Sequence, residues 1–586
     1  MGLTKPAGML YTILKYYSDG GQPMLTPWGE KLDKNNILPE YPRPQMRRSS
    51  FINLNGEWDY AFTAAGEKQP EKWQGKILVP FSPESELSGV GRRLMPDEYL
   101  WYRRDWVRPE DMSGRVILHF GAVDQSCTVY INGLRAYRHR GGYLPFEFDA
   151  TGFLSKEVNE LSLSVRDVSD TSFHSRGKQS SSRGGIWYTP QSGIWQSVWA
   201  ECIPKDCVKK LRITPNYDGA YVEVSADTVG ESKASALFDG QLYPLPAKIP
   251  VPDFEPWTPE NPKLYDFSVV CGEDKVDSYF AMRKFSVETD GKGVKRLFLN
   301  GRPYFHNGLL DQGYWSDGMY TAPSDEALIF DIQTAKDMGF NMLRKHIKVE
   351  PLRWYYHCDR LGMLVWQDMI NGGGQYNPAV ISAPLVTGIH LSDKNHRLFA
   401  RGDMEGRVEY ETELNEMIEL LYNCPCIAMW VPFNEGWGQF DAARIAEKIA
   451  NADPTRTIDH ASGWHDQKIG DTKSLHVYFK KYDFKPDKLG RAVLLSEFGG
   501  YNLRCAGHSF SEKDFGYKKF KSEKELIKAL DELYGRQIKP AHEKGLAAAV
   551  YTQLSDVEDE VNGLITYDRK VVKINPDIVR KIVKVD

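Results

Sequence analysis

Two short strings each carry one glutamate at the end of an apolar stretch, Val-Pro-Phe-Asn-Glu-Gly-Trp-Gly over 431–438 and Leu-Leu-Ser-Glu-Phe-Gly-Gly over 494–500. Glu435 and Glu497 lie 62 residues apart, and each has a glycine within two positions. One carboxylate after an apolar strand is common, and alone it reads as a salt-bridged residue at a rim. Two of them in matching contexts suit an enzyme that flanks one bond with paired carboxyl groups, as glycoside hydrolysis requires. If they face each other, the gap decides the chemistry. About 5–5.5 Å gives double displacement with retention, and about 6.5–9.5 Å leaves room for an inverting water.

The elements that would hold them follow from the hydrophobic pattern. From about residue 289 onward, apolar strands alternate with helical segments, the signature of a parallel α/β architecture. Eight strands are expected: Tyr304–Asn307, Met342–Lys345, Leu364–Gln367, Ala428–Pro432, Thr457–His460, Leu475–Tyr478, Val493–Ser496 and Ala548–Thr552. Helices are expected over Ser324–Met338, Glu405–Leu421, Phe440–Ala450 and Glu523–Lys544. Eight such units in this span fit a TIM barrel, whose sites lie at the carboxyl ends of the strands. Glu435 then follows the fourth strand and Glu497 the seventh, on opposite sides of the barrel mouth. Arg344 and His346 follow the second strand, and an arginine there could hold Glu497 ionised. Asp311 after the first strand, Asp368 after the third, and His476 with Tyr478 on the sixth are candidate hydroxyl binders. Trp437 and Trp464 are candidate sugar-stacking walls. Each has a plainer alternative as a loop cap, a satisfied core histidine or a packing residue.

Ahead of the barrel the pattern is all β. Short alternating runs between Gly56 and Glu201, broken by Gly, Asn, Asp and Pro, predict a jelly-roll sandwich, and Asn132-Gly133 is a type I′ hairpin signal. A second stretch from about Asp206 to Val287 is short enough for one immunoglobulin-like sandwich, with its Pro-rich middle, 244–262, expected to loop over the surface. The domain boundaries expected are 1–203, 204–288 and 289–586. Tyr11 to Tyr17 reads as a short amphipathic helix, and Arg47-Arg48 with Arg43 as a solvated face.

Composition removes several function classes. A net charge of −5 with 26% charged residues argues against a nucleic-acid partner. No segment reaches about 18 consecutive apolar residues, and the amino terminus reads poorly as a signal peptide, so no membrane partner and a cytoplasmic protein are expected. The eight cysteines show no paired metal spacing and read as reduced, buried thiols. No residue set requires a metal, and no Gly-rich phosphate loop implies a cofactor. The 15 Trp and 31 Tyr suit both large β cores and sugar faces. The oligomeric state is open, a homo-oligomer included.

The motifs also resemble those of a known family. Asn434-Glu435 and Ser496-Glu497-Phe498-Gly499 are similar to the acid/base and nucleophile motifs of glycoside hydrolase family 2, which holds β-galactosidases, β-glucuronidases and β-mannosidases. Tyr130-Ile131-Asn132-Gly133, Gly141-Gly142-Tyr143-Leu144-Pro145-Phe146 and Gly193-Ile194-Trp195 resemble its sugar-binding jelly roll. Trp257-Thr258-Pro259-Glu260-Asn261-Pro262 resembles the end of its immunoglobulin-like domain, and Leu299-Asn300-Gly301-Arg302-Pro303 the start of its barrel. The resemblance implies a retaining exo-β-glycosidase with Glu435 as acid/base, Glu497 as nucleophile and Asn434 on the sugar 2-hydroxyl. A catalytically silent carbohydrate-binding protein and a transglycosylase are the alternatives.

On the sugar, the family's glucuronidases carry an Asn-x-Lys signature after the last barrel strands. The comparable segment here, Ser555 to Gly563, is acidic and lacks the lysine, so a sugar carboxylate is expected to be repelled. A neutral sugar is preferred, β-galactoside first, with β-glucuronide or β-mannoside as alternatives. The chain stops soon after the barrel, so further carboxy-terminal β domains are expected to be absent.

Overall fold

The computed structural model describes residues 24–107, 114–155 and 158–585. The Tyr11 to Tyr17 segment lies outside them. The first unit is a sandwich of antiparallel sheets. One has six strands in the order Gly75–Val79, Gly56–Ala64, Glu98–Val107, Val158–Arg166, Ser126–Ile131, Leu134–Arg140, and the other has Ile52–Asn53, Val198–Ile203, Arg115–Phe120 and Phe146–Asp149. Alternation decides the inward face: Cys127, Val129 and Ile131 are buried while their neighbours are not. At the hairpin Asn132 and Gly133 take φ values of 52° and 76°, the positive pair a type I′ turn needs.

The second sandwich pairs a three-stranded sheet (Cys207–Asn216, Tyr221–Val229, Ala247–Pro250) with a four-stranded one (Gln241–Pro244, Ala234–Phe238, Tyr265–Cys271, Asp274–Phe280). The Pro-rich middle is therefore not all surface loop. Ala247–Pro250 forms an edge strand, where a proline costs no ladder bond. Trp257 is fully buried, its indole N–H donating to the Asp359 carbonyl at 2.8 Å, because so large an apolar surface outweighs the prolines around it. The solvated basic face is also corrected. Arg43 bonds Glu201, and Arg48 bonds Asp274 at 2.9 Å and Glu201 at 3.3 Å, tying the two sandwiches together, while only Arg47 is largely exposed.

A small antiparallel sheet, Phe285–Thr289, Lys295–Leu299 and Arg302–Pro303, leads into the barrel. The barrel strands are His306–Asp311, Met342–Lys345, Leu364–Asp368, Ile427–Val431, Thr457–Ile458, Thr472–Val477, Ala492–Gly499 and Leu546–Thr552. All pairs are parallel, in the order 5-4-3-2-1-8-7-6. Strands 5 and 6 are the one unpaired junction, since strand 5 has only two residues. The first strand starts later than expected, so Asp311 is its last residue rather than part of a following loop. Helix Asp325–Asp337 begins where Ser324 accepts the Ala327 N–H, and Met404–Leu421 where Asp403 accepts that of Gly406. The expected helix 523–544 contains a π turn, Tyr534–Ile538. The helix Leu352–Leu361, closed by Gly362 at φ 75°, was not anticipated. Among the described residues no helix is long and apolar enough to cross a membrane, and all eight cysteines are unpaired.

Trp257 joins the second sandwich to the barrel through both area and a hydrogen bond. Trp257→Ala is expected to lower stability by about 3–5 kcal/mol, read as a fall in the urea midpoint. An unchanged midpoint would remove Trp257 from the interface energetics.

Candidate active site

Each glutamate is aimed by a local irregularity. After strand 4, Asn434 bridges to Ser462, the Glu435 N–H donates to the Ser462 carbonyl at 2.9 Å, and Glu435 takes φ 50°. That left-handed conformation costs a non-glycine residue on the order of 1 kcal/mol, and Gly436 at φ 74° continues the turn cheaply. Glu497 lies inside strand 7. Register slips at this point against both neighbours, with Leu475 opposite Leu495 but His476 opposite Glu497, and Leu495 opposite Ala549 but Phe498 opposite Tyr551. The extra residue bends the strand and turns Glu497 toward the barrel axis.

The two carboxylates meet at His476. Its Nδ1 is 2.8 Å from Glu435 Oε1 and 3.5 Å from Glu497 Oε2, and its Nε2 is 3.1 Å from the Ser462 hydroxyl. One ligand atom from each of Glu435, His476 and Glu497 falls within 4.8 Å of the other two, so the acids face each other at close range. These are donor types a divalent ion accepts, but here His476 is hydrogen-bonded to Glu435, and Glu497 to Arg344 and Tyr478.

Around Glu497 sit Arg344 and Tyr478. The Arg344 guanidinium is wholly buried and donates through Nη1 to Glu497 Oε1 at 3.2 Å, through Nε to Asp368 Oδ1 at 3.0 Å, and through Nη2 to Asn434 Oδ1 at 2.8 Å. The Tyr478 hydroxyl donates to Glu497 Oε2, and its ring stacks on Tyr517 at 3.9 Å. Burial alone would push Glu497 up, but the charges of His476 and Arg344, the Tyr478 hydroxyl and Lys178 overcome it, and its pKa falls below the ordinary value. Glu435 goes the other way. Burial raises its pKa and the Glu497 charge adds to this, against the His476 hydrogen bond.

The remaining expected residues divide. Asp368 is held by Arg344 and by His346 Nδ1 at 2.6 Å, and burial keeps His346 well below its usual range. Asn434 keeps a buried Nδ2 with no protein partner. Trp437 packs on Trp187 at 5.2 Å and faces His346 at 6.3 Å, while Trp464 sits edge-on to His476 at 5.3 Å with its N–H on the Ile381 carbonyl. Asp311 has other partners: both it and Glu350 bind the Lys345 ammonium at 2.7 Å, and no contact joins it to either glutamate.

Several wall residues were not anticipated. Lys178 and Trp187 come from the first domain, and Tyr376 follows strand 3 and stacks on Trp187 at 5.7 Å. The available signal was length, since no strand longer than two residues interrupts the chain between Arg166 and Val198, and long connections in compact domains are often functional. The acidic segment after strand 8 also differs from expectation. Asp556 binds Lys573 at 2.7 Å, Glu558 and Asp559 share Arg183 at 3.3 and 3.2 Å, and the Tyr188 hydroxyl donates to Glu560. Internal partners therefore take up the charge that was expected to repel a sugar carboxylate.

Residues 96–200 match the sugar binding domain of glycosyl hydrolases family 2, and residues 292–497 match the TIM barrel domain of the same family. The chain belongs to glycoside hydrolase family 2. A β-galactosidase of Thermoanaerobacter pseudethanolicus is 24% identical over 450 residues, covering 71% of this chain and 55% of the relative. The chain spans about half the length of the curated relatives it matches. Among solved structures, a β-D-glucuronidase of Dictyoglomus thermophilum superposes with a TM-score of 0.72 at 17% identity over 93% of this chain and 98% of that one. A β-galacturonidase of Eisenbergiella tayi does so with 0.69 at 19%, over 93% and 98%. At such identities the structures speak for the fold alone.

The opposed shifts in this family 2 site have a measurable consequence. A carboxyl raised in the folded state contributes stability below its unfolded value, and that contribution is lost as pH rises through the folded value. Glu435→Gln, which keeps an acceptor for His476, should therefore raise the melting temperature more at about pH 8 than at about pH 5. The reverse order would mean that Glu435 is not raised.

Proposed function

We propose that this family 2 glycoside hydrolase is a retaining exo-β-glycosidase acting by double displacement. The observation that carries the reading is the pair of carboxylates within 4.8 Å with pKa values pushed apart. Glu435, raised, holds the proton that the leaving oxygen needs. Glu497, lowered, attacks the anomeric carbon, its carboxylate aligned by Arg344 and Tyr478. The glycosyl ester then forms as the aglycone leaves with the Glu435 proton. Water, deprotonated by Glu435, next attacks the same carbon and releases Glu497. The unpartnered Asn434 Nδ2 suits a donor to the sugar 2-hydroxyl, a bond that strengthens as charge develops in the transition state. The aromatic wall of Trp187, Tyr376 and Trp437 narrows the mouth on one side and suits a pocket for a terminal sugar.

The complete carboxylate pair and its supporting cations weigh against a silent sugar-binding protein. β-Galactoside remains the first neutral candidate, in keeping with the β-galactosidases among the relatives, but the repulsion argument against uronic acids is lost with the paired acidic segment. The eight unpaired cysteines fit a cytoplasmic setting.

Azide rescue tests the two roles on activated aryl β-glycosides. Glu497→Ala should lose about 10⁴-fold or more, and azide should restore turnover as the α-glycosyl azide, because the anion attacks the sugar directly. Glu435→Ala should lose about 10²–10⁴-fold on poor leaving groups and yield the β-azide from the glycosyl-enzyme. Exchanged stereochemistry would reverse the assignments, and full activity of Glu497→Ala would end the proposal.

A further inference from the structure

The segment after Arg166 in the first domain does not simply cover the barrel; it is fastened to it. Ser175 bridges Gly372, and the N–H groups of Arg176 and Gly177 donate to the Asn371 carbonyl at 2.9 and 3.2 Å. The Arg176 guanidinium binds the carbonyls of Gly373 and Gly374, and the Ser175 hydroxyl donates to Glu413. On the other side Gln179 donates to Asp124 at 3.0 Å and to the Tyr143 hydroxyl at 2.9 Å, and the Lys178 carbonyl accepts the Tyr188 N–H at 2.9 Å. Lys178, between these anchors, has a fixed backbone.

Its side chain is left uncompleted. Lys178 is 6% exposed, and its ammonium lies 5.6 Å from the ring centres of both Trp437 and Tyr188. Among the described residues no hydrogen bond or ion pair takes up its three N–H donors. The Trp437 ring beside it faces His346 at 6.3 Å, and its charge acts on Glu435, Glu497, Glu560 and His346, so it lies beside the paired glutamates. A buried ammonium without an acceptor is costly, and ring faces return only part of the lost hydration. A sugar hydroxyl would supply a lone pair without charge, whereas a carboxylate would supply both. The acids that follow strand 8 already have protein partners, and burial favours the protonated form of Glu560, the one among them that senses Lys178.

We propose that Lys178, delivered by the first domain, is a specificity-determining residue that pairs with a carboxylate on the terminal sugar. The proposal rests on the glycosidase reading and names its substrate class, β-uronides. It differs from the expected placement of such a cation after the last barrel strand, where the segment Ser555 to Gly563 has no lysine and the following Lys573 is taken up by Asp556.

Two measurements separate its failure from that of the activity itself. The first compares wild type, Lys178→Met and Lys178→Arg on aryl β-glucuronide, β-galacturonide, β-glucoside and β-galactoside. Losing one partner of a buried charge pair should lower kcat/KM of Lys178→Met on the better uronide by about 30-fold or more. The loss on neutral glycosides should be at least about tenfold smaller, and Lys178→Arg should recover part of the uronide activity. Equal losses on both classes, or a wild type that cleaves only neutral glycosides, would overturn the role. The second needs no turnover: glucuronate or galacturonate should raise the wild-type melting temperature more than glucose and galactose do, and Lys178→Met should abolish the difference. If no glycoside is cleaved but this difference holds, the Lys178 site stands and the catalytic reading falls; no difference overturns Lys178.

Discussion

The site depends on one buried cation. Arg344 leaves strand 2 and reaches Asp368 on strand 3, Asn434 after strand 4, and both the Ser496 carbonyl and the Glu497 carboxylate on strand 7. A guanidinium taken wholly out of water is tolerable only when its fork of donors is filled. Its partners sit on strands far apart in the chain, so the barrel must be assembled before that condition is met. Barrel closure and site assembly are thus the same event energetically. A lysine could supply the charge and three donors, but from one nitrogen, whereas these acceptors are met by three separate nitrogens of a planar fork, so the arrangement is particular to arginine.

The same cation explains how two identical side chains are shifted in opposite directions. Glu497 receives Arg344, Tyr478 and a share of His476, whereas Glu435 receives His476 and then faces the Glu497 charge. His476 stands between them with its other nitrogen on Ser462, whose hydroxyl also donates to Ser496 at 2.9 Å. A proton leaving Glu435 therefore changes the field at Glu497 through one shared ring, and neither glutamate titrates independently of the other.

That Glu435 and Glu497 come together was legible in the sequence because their motifs are local: an apolar strand, a glutamate and a glycine within a few residues. Six of the eight strands were legible for the same reason, through runs buried on both faces, while strand 5 is half-buried and strand 6 alternates. The displaced first strand was not, since Tyr304 and Phe305 have strand-like residue types but serve as the approach to the barrel. Asp311 and Asp368 look alike at strand ends. Only the fold reveals that the first is neutralised by Lys345 and the second by Arg344. The acidic run from Asp556 to Glu560 misled most, because its counter-charges Arg183 and Lys573 lie elsewhere in the chain. A run of like charge in a sequence states what must be paired, not what faces a ligand.

The division of labour between domains follows from where each kind of residue can be held. Bond breaking needs carboxylates fixed to a few tenths of an ångström, and barrel strands joined by parallel hydrogen bonds supply that rigidity. The walls of the mouth need reach rather than rigidity of origin. The jelly roll provides it by spanning from Arg166 to Val198 and then fixing the span to Asn371 through Gly374. Substitutions in that span alter what the pocket touches without moving Glu435, Glu497 or Arg344, whose partners all lie within the barrel. Mechanism and substrate choice are still coupled at one point, because Lys178 in that span also helps lower Glu497, so a change there alters both what the pocket touches and the field at the paired glutamates.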